Sequence, residues 1–247
     1  MKIQYQDGEI YFGDSFDILP TLEKKSVEIS ITSPPYNLNK RGGSGTGSKI
    51  SENKYSNWYP DEVNEYRYLG EQRHMIYLLR NVSRSSIFYN HKVRYAWHER
   101  NLIKPKSKIF HPFDIVREFP IYQEITWVKK GITMPSSARL HNVTEKIYII
   151  GKPQTWSNPR NYTNVWKIEQ AKKTKHPCPY PEEIVRRCIE LTTNERDIIL
   201  DPYMGSGTTC LVAKSMNRRF IGIEKNRQFF EFAKSQLNKS YQQLKLF

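Results

Sequence analysis

The stretch Asp197–Lys214, with the sequence DIILDPYMGSGTTCLVAK, decides the fold class of this chain. A short apolar run leads into a tight turn that contains Gly205 and Gly207, and two threonines then open a segment with helical spacing. Glycine lets the backbone pass close to a ligand, and the unpaired N–H groups at the start of a helix suit a carboxylate or phosphate. Such a turn also occurs where a helix merely packs against a strand, so the turn alone leaves both interpretations open.

An acidic residue follows this turn at the end of the next apolar run. The sequence FIGIEKN, Phe220–Asn226, places Glu224 roughly 20 residues after the glycines, where an acidic side chain commonly accepts hydrogen bonds from ribose hydroxyls. The turn lacks the third glycine of the dinucleotide fingerprint, and no GKS or GKT follows it. These features predict a cofactor that contains a nucleoside and is smaller than a dinucleotide.

Strand-like and helix-like segments alternate along the rest of the chain. Runs rich in β-branched and aromatic residues, such as SVEISITS, SSIFYN and EKIYIIG, are nearly continuous in apolar character, as in strands covered on both faces. Helix-like stretches such as PEEIVRRCIELTT lie between them. The alternation predicts an α/β fold with helices on both faces of a mainly parallel sheet. No long linker interrupts it, so we expect a single domain over residues 1–247.

Two segments break the alternation. Residues 39–57 are rich in glycine and serine, which predicts a flexible loop. Residues 152–175 mix aromatic and basic residues with little periodicity. Either segment could contact nucleic acid, and a solvated surface loop is the alternative for each.

The charge balance favours a polyanionic partner. The chain has 39 Lys and Arg against 25 Asp and Glu, a formal net charge of +14, and 16 Tyr, 5 Trp and 11 Phe. Phosphate contacts and aromatic stacking both bind nucleic acid, whereas a basic enzyme with a solvated cationic face is the alternative explanation.

Cysteine usage and hydropathy bound the cellular setting. Cys178, Cys188 and Cys210 are odd in number and form no CxxC pair, which argues against a disulfide framework and against a zinc site, so we expect no metal. The first residues lack the apolar core of a signal peptide, and no apolar run approaches the roughly 20 residues of a membrane span. We therefore expect a cytoplasmic protein with no membrane partner.

The sequence ITSPPYNLNK, Ile31–Lys40, ends a strand with two prolines and a tyrosine. Ligands of a doubly wound sheet lie beyond the carboxyl ends of its strands, so Ser33–Tyr36 projects into the expected site. Prolines hold this backbone extended, and the Ser33 hydroxyl and Pro34 carbonyl would accept hydrogen bonds from the amine of a flipped nucleobase that stacks on Tyr36. The alternative is that the prolines merely terminate the strand.

Together these motifs resemble the S-adenosylmethionine-dependent amino methyltransferases of DNA, in the β arrangement. TSPPY resembles the catalytic motif, DPYMGSGTT the cofactor loop and GIEKN the ribose-binding strand end, while KHPCPYPEEIVRRCI, GDSFDIL and MPSSARLHNVTEKIYIIGK are similar to further family segments. The resemblance covers nearly the whole chain in order. It implies the Rossmann-like class I methyltransferase fold, in which a seven-stranded, mainly parallel sheet ends in a reversed hairpin.

The resemblance also implies a set of site residues. Glycine and acidic positions would shape the methionine end of the cofactor pocket and hold the ribose, threonines would hold the cofactor carboxylate, and Asp14 would contact the adenine. The implied catalytic residues are Ser33, Pro34, Pro35 and Tyr36. The implied cofactor-binding residues are Asp14, Thr32, His176, Pro177, Asp201, Pro202, Gly205, Ser206, Gly207, Thr208, Thr209 and Glu224.

The first residue of the catalytic motif bears on the substrate. Ser-Pro-Pro-Tyr is more typical of relatives that methylate cytosine N4 than of those that methylate adenine N6, so we favour site-specific cytosine-N4 methylation of double-stranded DNA, in a restriction–modification system. Alternatives are adenine N6, RNA or a protein amide as substrate, and a catalytically inactive DNA-binding subunit. Implied protein partners are a second copy of the chain, a cognate restriction endonuclease or a second methyltransferase. The target would be read by residues 39–57, 89–108 or 152–175, or by a second subunit.

Overall fold

The structure is a computed structural model, and it does not describe every part of the chain. The residues it describes are 1–37, 63–96, 108–130, 140, 142–157, 159–171 and 180–243. The predicted flexible loop 39–57 lies outside the described residues, as do His176, Pro177 and Cys178.

Eleven strands and six α-helices account for the described regular structure. The strands are β1 Lys2–Tyr5, β2 Gly8–Phe12, β3 Ile29–Thr32, β4 Ile87–His91, β5 Arg94–Ala96, β6 Lys108–Phe110, β7 Ile121–Lys130, β8 Thr144–Ile150, β9 Val165–Glu169, β10 Ile198–Asp201 and β11 Arg219–Glu224. The helices are α1 Ser15–Ile18, α2 Glu65–Val82, α3 Phe113–Val116, α4 Glu182–Thr192, α5 Thr208–Ser215 and α6 Arg227–Gln243. Short 3-10 turns cover Leu19–Thr21 and Pro159–Asn161.

Nine of these strands form one sheet in the order β1-β2-β11-β10-β3-β4-β8-β7-β9. Strands β2, β11, β10, β3 and β4 run parallel to one another, and β8 is antiparallel to both β4 and β7. The predicted parallel sheet with a reversed hairpin is therefore confirmed. The sheet is wider than the seven expected strands because β1 adds antiparallel to β2 and β9 adds parallel to β7.

Both faces of the sheet are covered by helices, as predicted. On one face, the apolar sides of α4, α5 and α6 pack on Ile29, Ile31 and Ile199. On the other, α2 and α3 pack on Ile87 and Leu200. Burial of each such side chain contributes about 1.5–3 kcal/mol, so the continuous apolar character of these strands is explained by cover on both sides. The two cysteines that the structure describes, Cys188 and Cys210, are buried and unbridged.

Part of segment 152–175 differs from the expected irregular loop, because it contains β9. Its residues alternate between exposed and buried, and Trp166 and Ile168 are buried against the sheet. The short strand was hidden by the basic and aromatic residues that surround it in sequence. Among the described helices, none is long and apolar enough to cross a membrane.

Candidate functional site

The described site residues converge at one edge of the sheet. Strands β10, β11, β3 and β4 run parallel, so their carboxyl ends meet there. These strands end at Asp201, Glu224, Thr32 and His91. The reversed strand β8 brings its amino end, which carries Glu145, to the same edge. The predicted catalytic motif and the predicted glycine turn are therefore placed side by side by topology.

Glu224 holds the glycine turn in place. Its carboxylate oxygens accept hydrogen bonds from the backbone N–H of Gly205 at 2.8 Å and of Asn226 at 2.7 Å. Burial raises the pKa of Glu224, although these N–H groups favour the ionised form. A carboxylate oxygen has a second lone pair, so Glu224 can also accept hydrogen bonds from the hydroxyls of a ribose.

Asp201 is a second buried carboxylate beside the turn, with 7% of its surface exposed. It accepts hydrogen bonds from the backbone N–H of Tyr203 at 3.0 Å and from the Thr209 hydroxyl at 2.6 Å. Burial raises the pKa of Asp201 to about 6 despite these bonds, and the nearby charge of Glu224 adds to the rise. The Thr209 side chain thus holds Asp201, which differs from its predicted role on the cofactor carboxylate.

The start of α5 offers donors to a ligand. Gly207 precedes the helix with a left-handed backbone, φ 85°, and no side chain caps the first N–H groups. The hydroxyls of Ser206 and Thr208 lie 3.2 Å apart and are partly exposed. A Cβ atom on Gly207 would lie 3.0 Å from the Cβ of Ala233 in α6, so helix packing also requires this glycine. Gly205 has a φ of 53°.

Asp14 lies next to the end of β11. It caps the start of α1, and the preceding Gly13 donates its N–H to the carbonyl oxygen of Glu224 at 3.0 Å. Ser15 is buried and donates its hydroxyl to the carbonyl oxygen of Pro202. Ser15, which the sequence analysis missed, therefore joins the predicted adenine contact to the glycine turn.

The predicted catalytic motif, Ser33–Tyr36, ends in a buried hydrogen-bond network. The Ser33 Oγ lies 2.9 Å from the Tyr36 hydroxyl oxygen, which lies 2.7 Å from Asn90 Oδ1 and 2.9 Å from Glu145 Oε2. Ser33 Oγ is also 3.3 Å from Asn90 Oδ1. Burial raises the pKa of Tyr36 well above its usual value, and the charge of Glu145 raises it further, so the phenol keeps its proton.

Aromatic side chains support the two prolines. The Tyr36 ring lies on the ring of His91, with the centroids 4.6 Å apart. Burial lowers the pKa of His91 to about 3, so this ring is neutral, and its Nδ1 donates to the Lys92 carbonyl at 2.8 Å. The Tyr68 hydroxyl lies 2.7 Å from the Pro35 carbonyl oxygen and 2.8 Å from His91 Nε2. These contacts of His91 and Tyr68 therefore hold Pro35 and Tyr36 in place.

Asn37 closes the motif with a clip to the start of α2. Its side-chain amide donates to the Val63 carbonyl at 2.8 Å and accepts the Val63 N–H at 3.1 Å. Buried Arg94 donates to the Asn37 carbonyl and forms a two-pronged ion pair with Glu65. Arg94 lies in region 89–108, and this pairing assigns it a structural role.

Two buried hydroxyls at the site have no hydrogen-bond partner among the described residues, those of Thr32 and Tyr180. Thr32 precedes Ser33 directly, and Tyr180 packs edge-on against Trp127. An unmet buried hydroxyl costs about 1–3 kcal/mol, so a water or a ligand that hydrogen-bonds to these two groups would be stabilised here. With the Glu224 carboxylate and the uncapped start of α5, they form a site whose donors and acceptors fit a nucleoside with a charged amino-acid tail.

Sequence reasoning missed the residues that contact the motif, namely Tyr68, Asn90, His91 and Glu145. It also missed Lys129, whose Nζ lies 2.5 Å from Glu145 Oε1. The available signal was the polar pair Asn90-His91 at the end of the apolar run SSIFYN. Of the predicted cofactor residues, His176 and Pro177 fall outside the described part of the chain. The described residues contain no group of three or more His, Cys, Asp or Glu side chains that could hold a metal ion.

Comparison with known proteins adds a family and several relatives. The family model N6_N4_Mtase, described as DNA methylase, matches residues 27–235. The type II methyltransferase M2.LlaDCHI of Lactococcus lactis subsp. cremoris is 29% identical over 264 residues, which cover 95% of this chain and 90% of that protein.

Solved structures share the fold. The PvuII DNA methyltransferase (cytosine-N4-specific) superposes with a TM-score of 0.72 at 15% identity, covering 93% of this chain and 86% of its own. The M1.HpyAVI–SAM complex gives a TM-score of 0.57 at 24% identity, with coverages of 92% and 98%. At these identities, the likeness establishes the class I methyltransferase architecture.

Proposed function

This chain belongs to the DNA methylase family whose model matches residues 27–235, and we propose that it methylates the exocyclic N4 amine of cytosine in double-stranded DNA, with S-adenosylmethionine as methyl donor. The likeness to type II methyltransferases supports a role in a restriction–modification system. The observation that carries the proposal is the position of Ser33, at the partly exposed end of a buried hydrogen-bond network and at the same sheet edge as Glu224.

The cofactor assignment rests on the donors and acceptors of the site. When bound, S-adenosylmethionine supplies an electrophilic methyl group on a sulfonium centre. Glu224 would accept from its ribose hydroxyls, the start of α5 would hold its carboxylate, and Asp201 would offset its positive charge. The solved complex of M1.HpyAVI with SAM, a structural neighbour of this chain, supports the assignment.

The catalytic motif would orient the amine of the substrate base. The lone pair of an aromatic amine is delocalised into the ring, and hydrogen bonds from its two N–H groups to fixed acceptors draw the nitrogen toward tetrahedral geometry. Ser33 Oγ and the Pro34 carbonyl are those acceptors, and Tyr36 provides a ring for stacking. A paired base cannot reach them, so the base must leave the duplex, and the net charge of +14 favours binding of the distorted DNA.

We prefer cytosine because the motif begins with serine, and Ser-Pro-Pro-Tyr is more typical of family members that methylate cytosine N4. The PvuII enzyme, whose name states cytosine-N4 specificity, is a fold neighbour and supports this choice. Adenine N6 carries the same pair of N–H donors, so an experiment must distinguish the two bases.

The test is to identify the methylated nucleoside. Unmethylated genomic DNA is incubated with the protein and methyl-labelled S-adenosylmethionine, then digested to nucleosides and separated. We expect label in N4-methylcytosine. Label only in N6-methyladenine would overturn the cytosine assignment, and absence of label in all nucleosides would overturn the assignment of DNA as the substrate.

The acceptor role of Ser33 has its own test. Ser33→Ala removes one of two hydrogen-bond acceptors from the reacting nitrogen, so we expect the single-turnover rate to fall about 100-fold, as for loss of one preorganised hydrogen bond at other reacting centres. Affinity for S-adenosylhomocysteine, measured by calorimetry, should stay within about twofold. Retention of the full rate would refute the role.

A further inference from the structure

We propose that Glu145, paired with Lys129, is a positioning residue that fixes the direction of the hydrogen bonds beneath the catalytic motif and so keeps the Ser33 oxygen available to accept the substrate amine. The inference rests on the proposed function, because it concerns how Ser33 performs that role. Neither residue belongs to the predicted catalytic or cofactor sets, and both come from the hairpin β7–β8, far from TSPPY in sequence.

Glu145 is buried as part of an ion pair. Its Oε1 lies 2.5 Å from Lys129 Nζ, and the exposed fractions of the two side chains are 6% and 13%. The Lys129 ammonium lies 5.2 Å from the centre of the Trp127 ring, which further fixes it. Because the ammonium holds Oε1, the other oxygen, Oε2, faces Tyr36 as an acceptor with no proton to give.

Asn90 is a second oriented acceptor. Its side-chain nitrogen donates to the Lys146 carbonyl at 3.0 Å, which fixes the amide so that Oδ1 faces Ser33 and Tyr36. The two hydroxyls therefore face a carboxylate oxygen and an amide oxygen, neither of which carries a hydrogen.

The number of protons then decides where the Ser33 hydrogen points. Ser33 and Tyr36 bring one hydroxyl hydrogen each. If the Ser33 hydrogen pointed toward the substrate, the single Tyr36 hydrogen would face three oxygens within 3 Å, those of Ser33, Asn90 and Glu145. Such crowding of lone pairs is unfavourable at a buried position. Ser33 therefore donates its hydrogen inward, to the Tyr36 or the Asn90 oxygen. The lone pairs of Ser33 Oγ are then directed to the partly exposed side.

Loss of the carboxylate removes this bias. In Glu145→Gln, the amide can turn its NH₂ toward Tyr36, so the Tyr36 hydrogen goes to Asn90 and the network no longer requires a hydrogen from Ser33. The Ser33 hydroxyl can then point its hydrogen at the substrate amine, where a donor meets a donor. The charge of Glu145 therefore controls which hydroxyl donates to which oxygen, while the positions of the atoms stay the same.

The experiment compares Glu145→Gln with Glu124→Gln. Glu124 pairs with Lys146 at 2.6 Å on the same hairpin, has 41% of its side chain exposed, and makes no contact with Tyr36, so it controls for loss of an ion pair from β7–β8. We expect the single-turnover methylation rate to fall about tenfold in Glu145→Gln, equivalent to about one hydrogen bond, and to stay within twofold of wild type in Glu124→Gln. Affinities for DNA and S-adenosylhomocysteine should stay within twofold in both.

A double-mutant cycle with Tyr36→Phe distinguishes an effect of Glu145 on hydrogen-bond direction from a general perturbation of the site structure. Glu145 acts on Ser33 through the Tyr36 hydroxyl, so in the Tyr36→Phe background Glu145→Gln should change the rate by less than twofold. A tenfold loss that persists in that background would overturn the proposal, as would a Glu145→Gln rate equal to that of Glu124→Gln.

A second variant guards against misfolding, since Glu145→Gln leaves Lys129 as an unpaired buried cation. The double change Lys129→Met with Glu145→Gln removes both charges and should show the same tenfold loss with a preserved melting transition. Full activity in the folded double variant would refute the proposal. These outcomes differ from failure of the proposed function, in which the wild-type protein itself would yield no methylated nucleoside.

Discussion

Two buried carboxylates at opposite edges of the central sheet, Glu28 and Asp201, differ in the groups that donate hydrogen bonds to them. At the amino ends of the strands, Glu28 is 3% exposed and accepts both Nε and Nη2 of Arg84, which also lies 3.7 Å from Asp197. At the carboxyl ends, Asp201 is similarly buried but is held by two neutral donors, and its pKa is raised to about 6. Glu28 is therefore balanced by a cation within the protein, as Glu145 is by Lys129, whereas Asp201 keeps an unbalanced negative charge.

The difference between Glu28 and Asp201 indicates that the first contributes to the stability of the fold and the second to ligand binding. A buried charge held by neutral groups costs folding free energy, and a cationic ligand that supplies the missing countercharge recovers that cost on binding. The orphan hydroxyls of Thr32 and Tyr180 occur at the same edge. The carboxyl edge thus combines a buried carboxylate that lacks a cation with two hydroxyls that lack a partner among the described residues.

The largest expected effect is on the functional edge, in Glu224→Gln. Loss of the charge weakens two hydrogen bonds from the ribose, each worth about 1.5–3 kcal/mol when the acceptor is ionised, so the affinity for S-adenosylmethionine should fall about 100-fold. The free energy of unfolding without ligand should fall by only about 1–2 kcal/mol, because the glutamine NH₂ faces one of the two backbone N–H groups that donate to the carboxylate, while removal of a desolvated charge offsets part of that loss. Calorimetric titration and urea unfolding measure the two quantities.

A matched control for that variant is Glu231→Gln on α6, where the side chain is 39% exposed and pairs with Arg227. It should leave both affinity and stability within experimental scatter. If Glu224→Gln loses stability rather than affinity, the contrast between the two edges is wrong.

At the structural edge, Arg84→Met should lower stability without any loss of cofactor affinity. It leaves Glu28 buried without its cation, and since the Arg84 side chain is half exposed, we expect a loss of about 2 kcal/mol, below the range for a fully buried pair. Affinity for the cofactor should be unchanged. Urea unfolding measures the loss, with Arg67→Met, in an exposed helical pair with Glu71, as the reference. A change in affinity would show that the two edges are coupled.

The smallest expected effect is a pH dependence from Asp201. Its pKa is raised in the fold, so its contribution to stability is present below the unfolded pKa of about 3.8 and is lost as pH rises through about 6, an effect of about 1 kcal/mol between pH 5 and 7. Affinity for the cationic cofactor should change in the opposite direction and increase as the carboxylate ionises. Asp201→Asn should flatten both profiles relative to wild type, and unchanged profiles would contradict the assignment.

The fold could be predicted from sequence because its signals are local and repeated. Buried parallel strands appear as continuous apolar runs, and the turn at Gly205 marks the strand-to-helix passage. The edge strands carry weaker signals. Strand β9 spans five residues with only Trp166 and Ile168 buried, and β1 is four residues long and half exposed, so neither stands out from its surroundings.

The site could be predicted only where it is contiguous in sequence. Ser33 and Tyr36 share one motif with a visible chemical logic, but Glu145 lies 109 positions after Tyr36 and reaches it through the register of β8 against β4. No local pattern encodes such a pairing. The roles of Asp201 and Thr209 likewise depended on side-chain directions that a motif does not specify.

The clip at Asn37 separates the site from the sequence that follows it. Residues 37 and 63 meet through two hydrogen bonds, and Arg94 fixes the same point from below. The backbone positions on either side of residues 38–62 are therefore held together close to Ser33. Because these bonds fix both anchor positions, a substitution within residues 38–62 should leave the hydrogen bonds of Ser33 and Tyr36 in place.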